Sequence, residues 1–294
     1  VVGLLSVLLT GGYVYWALKQ PLPALQPVVV NLPAQSTVSK LTWPAEQSAV
    51  GIVGSSILET HAAQTEVPIA STAKLITAMV VLQAKPLQPG QPGSMLTLSA
   101  ADVALYNAYV AQGGSVVKVV AGEQISELQV LQAMMLPSAN NLADSLAIWA
   151  FGSLSAYKTA ATAWLTQHNL IQTHIGTDAS GFAPTTSSTA HDLVLLGELV
   201  MQTPALAGIV NQTSVSGIPV VSTIKNVNFL LGSNGIIGIK TGNNDQDPGV
   251  YVSASQTTVN NQKVTLVTAL VGAPTLWHAL NDSLPLIKSA QANF

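Results

Sequence analysis

Cysteine is missing from this 294-residue sequence, and so is arginine. Without cysteine there is no disulfide, no zinc–thiolate centre and no thiol nucleophile. Without arginine, all ten basic side chains are lysines. Charged residues make up 8% of the chain, against about 25% in an average soluble protein. The net charge is −3 and no basic stripe exists, which excludes nucleic acid as a partner. Apolar residues reach 48%, so charge-driven disorder is excluded and a sizeable core is available. The length is too short for three domains. Gln, Asn, Ser and Thr must build the polar surface. Sparse charge also weakens self-repulsion at low pH, so tolerance of mildly acidic surroundings is expected. His61, His168, His174, His191 and His278 are scattered without an HExxH pattern. There is no GxSxG elbow and no phosphate-binding glycine loop. No metal and no cofactor are expected.

What is present divides the chain into three stretches. Residues 1–18 carry no charge and close with Tyr13, Tyr15 and Trp16 before Lys19. As a helix they would reach about 27 Å, close to the bilayer core, and the aromatic residues suit a membrane interface. The expectation is a retained transmembrane anchor, with a cleaved signal peptide as the alternative. Residues 19–46 hold Pro21, Pro23, Pro27, Pro33 and Pro44, a density that makes a semi-rigid spacer. A globular domain is expected over 47–294.

Within it, Ala49 to Leu58 reads as a strand. Ala70 to Ala84 reads as a helix, apolar nearly all round and therefore buried on most sides. Residues 100–202 read as mainly helical, and a helical subdomain is expected over about 98–205. Ser126 with Gln129 forms a capping box for one helix, which Pro137 stops. Asn141 to Trp149 forms another. Thr189 with Asp192 caps a third, ending at Pro204. From 205 on, strands are expected, most clearly at 236–241, 250–255 and 263–271, with a turn at Asn260-Asn261. Leu276 to Ala290 closes the chain as a helix. The order predicts an α+β fold: an antiparallel sheet flanked by helices, with a helical insertion.

One ordered set of motifs carries chemistry. Ser-x-x-Lys occurs four times, as Ser71/Lys74, Ser115/Lys118, Ser155/Lys158 and Ser222/Lys225. Only Ser71 follows a proline-marked turn and opens a long buried helix. There the two side chains lie one turn apart on one face, with the hydroxyl at the positive helix end. Burial disfavours the ammonium and lowers the lysine pKa toward that of a usable base. Taken alone, Ser71 would read as an N-cap and Lys74 as a snorkelling lysine. Ser138-Ala139-Asn140 is the only Ser-x-Asn, on a loop between helices, where a capping turn is the ordinary reading. Lys240-Thr241-Gly242 is also unique and ends an apolar strand. A glycine there would let a ligand approach the backbone.

In this order, the three motifs resemble those of the penicillin-recognising serine enzymes, and most closely the low-molecular-weight D-alanyl-D-alanine carboxypeptidases. Further stretches look like that family: Pro68 to Lys74, Leu136 to Asn141, Asp178-Ala179-Ser180-Gly181 with Ser188 to Asp192, and Gly238 to Gly242. The resemblance covers about residues 47–290. It implies a β-lactamase/transpeptidase-like fold. It implies a substrate, the peptidoglycan stem peptide ending in D-Ala-D-Ala, and β-lactams as covalent inhibitors. Ser71 would be the acylated nucleophile and Lys74 its base. Ser138 would relay protons with help from Lys240, and Asn140 would bind substrate and position Lys74. The N–H groups of Ser71 and Asn243 would form the oxyanion hole. Thr241, flanked by Gly242, would bind the terminal carboxylate. The implied location is the extracytoplasmic face of the cell membrane, or outside the cell if the N-terminal segment is cleaved.

This sequence departs from the family pattern in three ways. It lacks the arginine that many relatives use near the third motif. The segment Asn243-Asn244-Asp245-Gln246-Asp247-Pro248-Gly249 is longer than usual, and its acids are expected to face outward or engage lysines. The β-rich C-terminal domain of many members is not expected after the last strand, and the N-terminal anchor is expected to hold the membrane instead. Three alternatives stand. A β-lactamase needs a loop glutamate to activate water, and none lies between Glu127 and Glu198. A D,D-endopeptidase would use the same motifs. A non-catalytic envelope-binding module would keep the fold only.

Overall fold

The computed structural model describes residues 40–244, 247–259 and 261–294. The expected anchor and most of the spacer lie outside them, as do Asp245, Gln246 and Asn260. Residues 40–46 lie against the domain. The Thr42 N–H donates to Ser289 Oγ at 2.9 Å, and the Trp43 ring stacks on His61 at 5.4 Å.

The elements run in this order: β1 (Gln47–Ile52), β2 (Leu58–His61), β3 (Val67–Pro68), α1 (Ala73–Ala84), β4 (Met95–Thr97), α2 (Ala100–Ala111), β5 (Gln124–Ser126), α3 (Glu127–Met135), α4 (Asn140–Phe151) and α5 (Leu154–Gln167). They continue with β6 (Ser187–Ser188), α6 (Ala190–Met201), α7 (Pro204–Val210), β7 (Ser214–Ile218), β8 (Ser222–Lys225), β9 (Ile236–Asn244), β10 (Asp247–Val259), β11 (Gln262–Ala273) and α8 (Leu276–Asn293).

The main sheet has five antiparallel strands in the order β2-β1-β11-β10-β9. The chain's first strands are thus joined to its last ones, and everything between α1 and β9 is inserted. Alternation along β10 and β11 sorts side chains to two faces. Tyr251 and Leu270 pack with Ala279, Leu280 and Ile287 of α8. Val250, Val252, Val267 and Ala269 pack into the larger core shared with α1 and α6. Helices therefore cover both faces, as the expected α+β arrangement requires.

Four local readings change. The strand expected over Ala49 to Leu58 is two strands, β1 and β2. Gly54-Ser55-Ser56 turns the chain, with the Ser55 N–H and hydroxyl both donating to the Ile52 carbonyl at 3.0 Å. The helix expected from Ala70 starts as a 3-10 turn at Ala70–Thr72 and becomes α-helical at Ala73. Pro204 opens α7 instead of only ending α6, since proline at the first helical position forfeits no hydrogen bond. Strands resume at Ser214, not at 205. The Ser126/Gln129 capping box forms as expected. Thr189 also caps α6, but the Asp192 carboxylate turns away to the Gln172 N–H and the Thr173 hydroxyl, both at 2.9 Å. Among the described residues, no single helix is long and apolar enough to cross a membrane.

Candidate active site

The site forms where the 3-10 turn meets β9 and the loop between α3 and α4. Ala70 sits at φ 44°, in the left-handed region that alanine rarely adopts. This turns the chain from β3 into the helix and places Ser71 at its entrance. The Thr72 hydroxyl donates to the Ile69 carbonyl at 2.7 Å and fixes the turn. Ser71 is half-buried and does not cap α1.

Lys74 follows on the first turn of α1 and is fully buried. Its Nζ lies 2.8 Å from Ser71 Oγ, 2.7 Å from Asn140 Oδ1 and 3.0 Å from the Ser180 carbonyl. The other three Ser-x-x-Lys lysines, Lys118, Lys158 and Lys225, are exposed. Burial pushes the Lys74 pKa well below its ordinary value, and the charge of Lys240 adds to this. Asp178 and Asp144 pull it back up.

The second motif is pinned from both sides. The Asn140 N–H donates to the Ser115 carbonyl at 2.8 Å. The Asn141 amide bonds both the N–H and the carbonyl of Val117. The Val227 N–H donates to the Leu136 carbonyl at 3.0 Å. Between these anchors Ser138 is held at φ 67°, again left-handed. It does not cap α4. Its hydroxyl accepts from Lys240 Nζ at 2.9 Å instead.

Lys240 extends from β9, nearly fully buried, and also donates to the Thr241 carbonyl at 2.9 Å. Burial lowers its pKa to about 7. Thr241 is buried beside it, and Asn243 is exposed. Gly242 has a role the sequence does not disclose. A Cβ there would stand 2.7 Å from the Ile69 carbonyl and 3.2 Å from the Thr72 nitrogen. The close approach it permits is to the chain's own Ser71 turn. Glycine lets β9 lie against that turn.

Ser71, Lys74, Ser138, Asn140, Lys240 and Gly242 thus converge, although they come from three distant segments, and Thr241 and Asn243 flank Gly242 on β9. Asp245 and the side chain of Asp247 lie outside the described residues. Among the described residues no group of three or more His, Cys, Asp or Glu could hold a metal ion.

The sequence reading missed what stands behind Lys74. The Ser180 carbonyl belongs to a loop that Asp178 organises, accepting from the N–H groups of Ser180, Phe182 and Ala183. Asp144, buried on α4, accepts from the Ala179 N–H at 2.8 Å and the Tyr109 hydroxyl at 2.7 Å. The Thr77 hydroxyl donates to the Ala179 carbonyl at 2.6 Å and pairs with Tyr157. One signal was available. Asn140 and Asp144 stand four residues apart, polar in a helix otherwise built to be buried.

A buried lysine beside a half-buried serine, with a second serine–lysine pair in the same site, on this fold, is the arrangement of a serine peptidase. Two solved structures share the architecture. A Streptomyces DD-transpeptidase is 23% identical with a TM-score of 0.76, covering 87% of this chain and 100% of its own. The D-alanyl-D-alanine carboxypeptidase of Mycobacterium tuberculosis is 25% identical with a TM-score of 0.72, covering 89% of this chain and 96% of its own. No curated protein sequence matches the chain. The family model described as D-alanyl-D-alanine carboxypeptidase matches residues 45–275. The chain belongs to that family.

Proposed function

We propose that the protein removes the terminal D-alanine from peptidoglycan stem peptides through an acyl-enzyme on Ser71. The observation that supports this most is the burial of Lys74 Nζ at 2.8 Å from Ser71 Oγ. An amine kept neutral by burial and by a neighbouring cation can accept the hydroxyl proton as the serine attacks the carbonyl. The N–H groups of Ser71 and Asn243 stabilise the resulting oxyanion. Ser138, bonded to Lys240, passes a proton to the departing D-alanine amine. Asn140 holds Lys74 and the substrate backbone. Water then hydrolyses the ester and Ser71 is restored. Thr241 and Lys240 hold the substrate carboxylate, since no guanidinium exists in the chain. Penicillins acylate the same serine. The Streptomyces neighbour is named for transfer and the mycobacterial one for hydrolysis. Here water is the proposed acceptor. Residues 1–18 would tether the domain outside the cell membrane, a reading supported by their composition.

Intact mass after incubation with benzylpenicillin tests the nucleophile. Wild type is expected to gain one drug mass, and Ser71→Ala none. An unmodified wild type would overturn the proposal, and a modified Ser71→Ala would move the nucleophile. Release of D-alanine from a D-Ala-D-Ala peptide, unchanged by an added acceptor amine, tests the hydrolytic outcome.

A further inference from the structure

Among the described residues the Ser180 carbonyl contributes one of three polar contacts to the Lys74 amine, yet it belongs to an irregular loop and not to a strand or helix. What fixes it comes from Asp178 in the same loop and from three helices. Thr77 of α1 grips the Ala179 carbonyl, Asp144 of α4 grips the Ala179 N–H, and Tyr109 of α2 grips Asp144. Ala179, the residue preceding Ser180, is therefore held at both its N–H and its carbonyl. Asp144 is 3% exposed, and both its oxygens are used inside the protein. No surface or solubility role accounts for a carboxylate there. Burying one costs several kcal/mol unless its hydrogen bonds are made, and here they are spent on this loop.

We infer that Asp144, held by Tyr109, is a positioning residue for Lys74: it fixes the Ser180 carbonyl against the amine and sets the charge behind it. The inference rests on the acyl-enzyme reading above. The titratable groups facing Asp144 are Lys74 on α1, Tyr109 on α2, Tyr157 on α5 and Asp178 on the following loop. Lys240 faces Lys74 from the other side. Burial raises the Asp144 pKa to about 6, and the hydrogen bonds from Tyr109 and Ala179 restrain the rise. The carboxylate is thus charged at neutral pH and protonates in mild acid. Its negative charge favours the ammonium form of Lys74. Removing that charge makes Lys74 easier to deprotonate.

The test is the pH dependence of the second-order rate of benzylpenicillin acylation. It compares wild type, Asp144→Asn and Tyr109→Phe, with thermal melting to show that each is folded. In Asp144→Asn the amide oxygen can still accept from the Ala179 N–H while the Tyr109 hydroxyl turns from donor to acceptor, so the charge is lost with little change of shape and the plateau falls by no more than about 100-fold. The rising limb, set by Lys74, moves to lower pH. Tyr109→Phe keeps the ring against Phe182 and loses only the hydroxyl. It is expected to lower the plateau less and to move the limb in the same direction. A folded Asp144→Asn protein with an unmoved limb would overturn the inference while leaving the acyl-enzyme intact. So would an unmoved limb in folded Tyr109→Phe, should Asp144→Asn fail to fold. Absence of any wild-type adduct would overturn both readings.

Discussion

Two lysines in one cleft are buried almost equally, yet their surroundings differ. Lys74 stands on a helix, ringed by Ser71, Asn140 and the Ser180 carbonyl, with Asp144 and Asp178 behind it. Lys240 stands on a strand, bonded to Ser138 and the Thr241 carbonyl, and burial alone shifts its pKa. The charge of Lys240 destabilises one on Lys74, so the pair is suited to holding one proton rather than two. Lys74 is built to lose its proton and Lys240 to keep one up to about neutrality. That difference separates a base from an electrostatic anchor without changing the residue type.

Removing Lys74 should break this comparison most. Lys74→Ala should slow benzylpenicillin acylation by about 10²–10⁴-fold, the usual weight of a general base, as read by stopped mass measurements. Lys240→Gln should cost about 10²–10³-fold, the weight of an electrostatic contact. It should also move the rising limb of the pH profile to higher pH, because the cation that holds down the Lys74 pKa is gone. That is the opposite direction to Asp144→Asn. If the limb stayed in place, the two lysines would not be coupled. In wild type, acylation should decline as pH rises through about 7, where Lys240 deprotonates.

Gly242→Ala leaves both lysines but wedges β9 from the Ser71 turn. Overpacking of this kind costs about 1–3 kcal/mol, and both the melting temperature and the acylation rate should fall. The smallest effect lies outside the cleft. Glu198, on α6, has its pKa raised from 4.5 to about 7 by burial. Its contribution to stability is fully present below pH 4.5 and is lost as pH rises through 7. Glu198→Gln should therefore raise the melting temperature at pH 8 by about 2–4 °C and leave it unchanged in mild acid. Glu127 and Asp144 are raised in the same sense. These carboxyls favour the folded state in acid.

The fold was legible where one stretch of chain decides its own structure. The apolar run from Leu75 to Leu82 can only be a buried helix, and the Ser126/Gln129 box closes its own cap. The strands 250–255 and 263–271 were legible as apolar, β-branched runs bounded by turn residues. The hairpin between β1 and β2 was missed because Val53 and Ile57 bridge the turn with strand-like residues. The start of α1 was misread because the left-handed Ala70 looks like any alanine in a helix. In the site, the serines, lysines and Asn140 were legible because motif spacing is a local property. Asp144, Tyr109 and the Ser180 carbonyl were not. One is a backbone atom, and the other two act only through groups far away in the chain.

By itself, then, the sequence determined which side chains could do chemistry and on what kind of element each would stand. It placed Ser71 and Lys74 one turn apart and left no arginine or cysteine to do their work. Only the tertiary structure decided that Lys74 meets Asn140 across 66 residues, Ser180 across 106, and that Lys240 meets Ser138 across 102. Proton affinities belong to that second category. A lysine's pKa is set by the water excluded and the charges gathered around it, and those come from every segment packed against it.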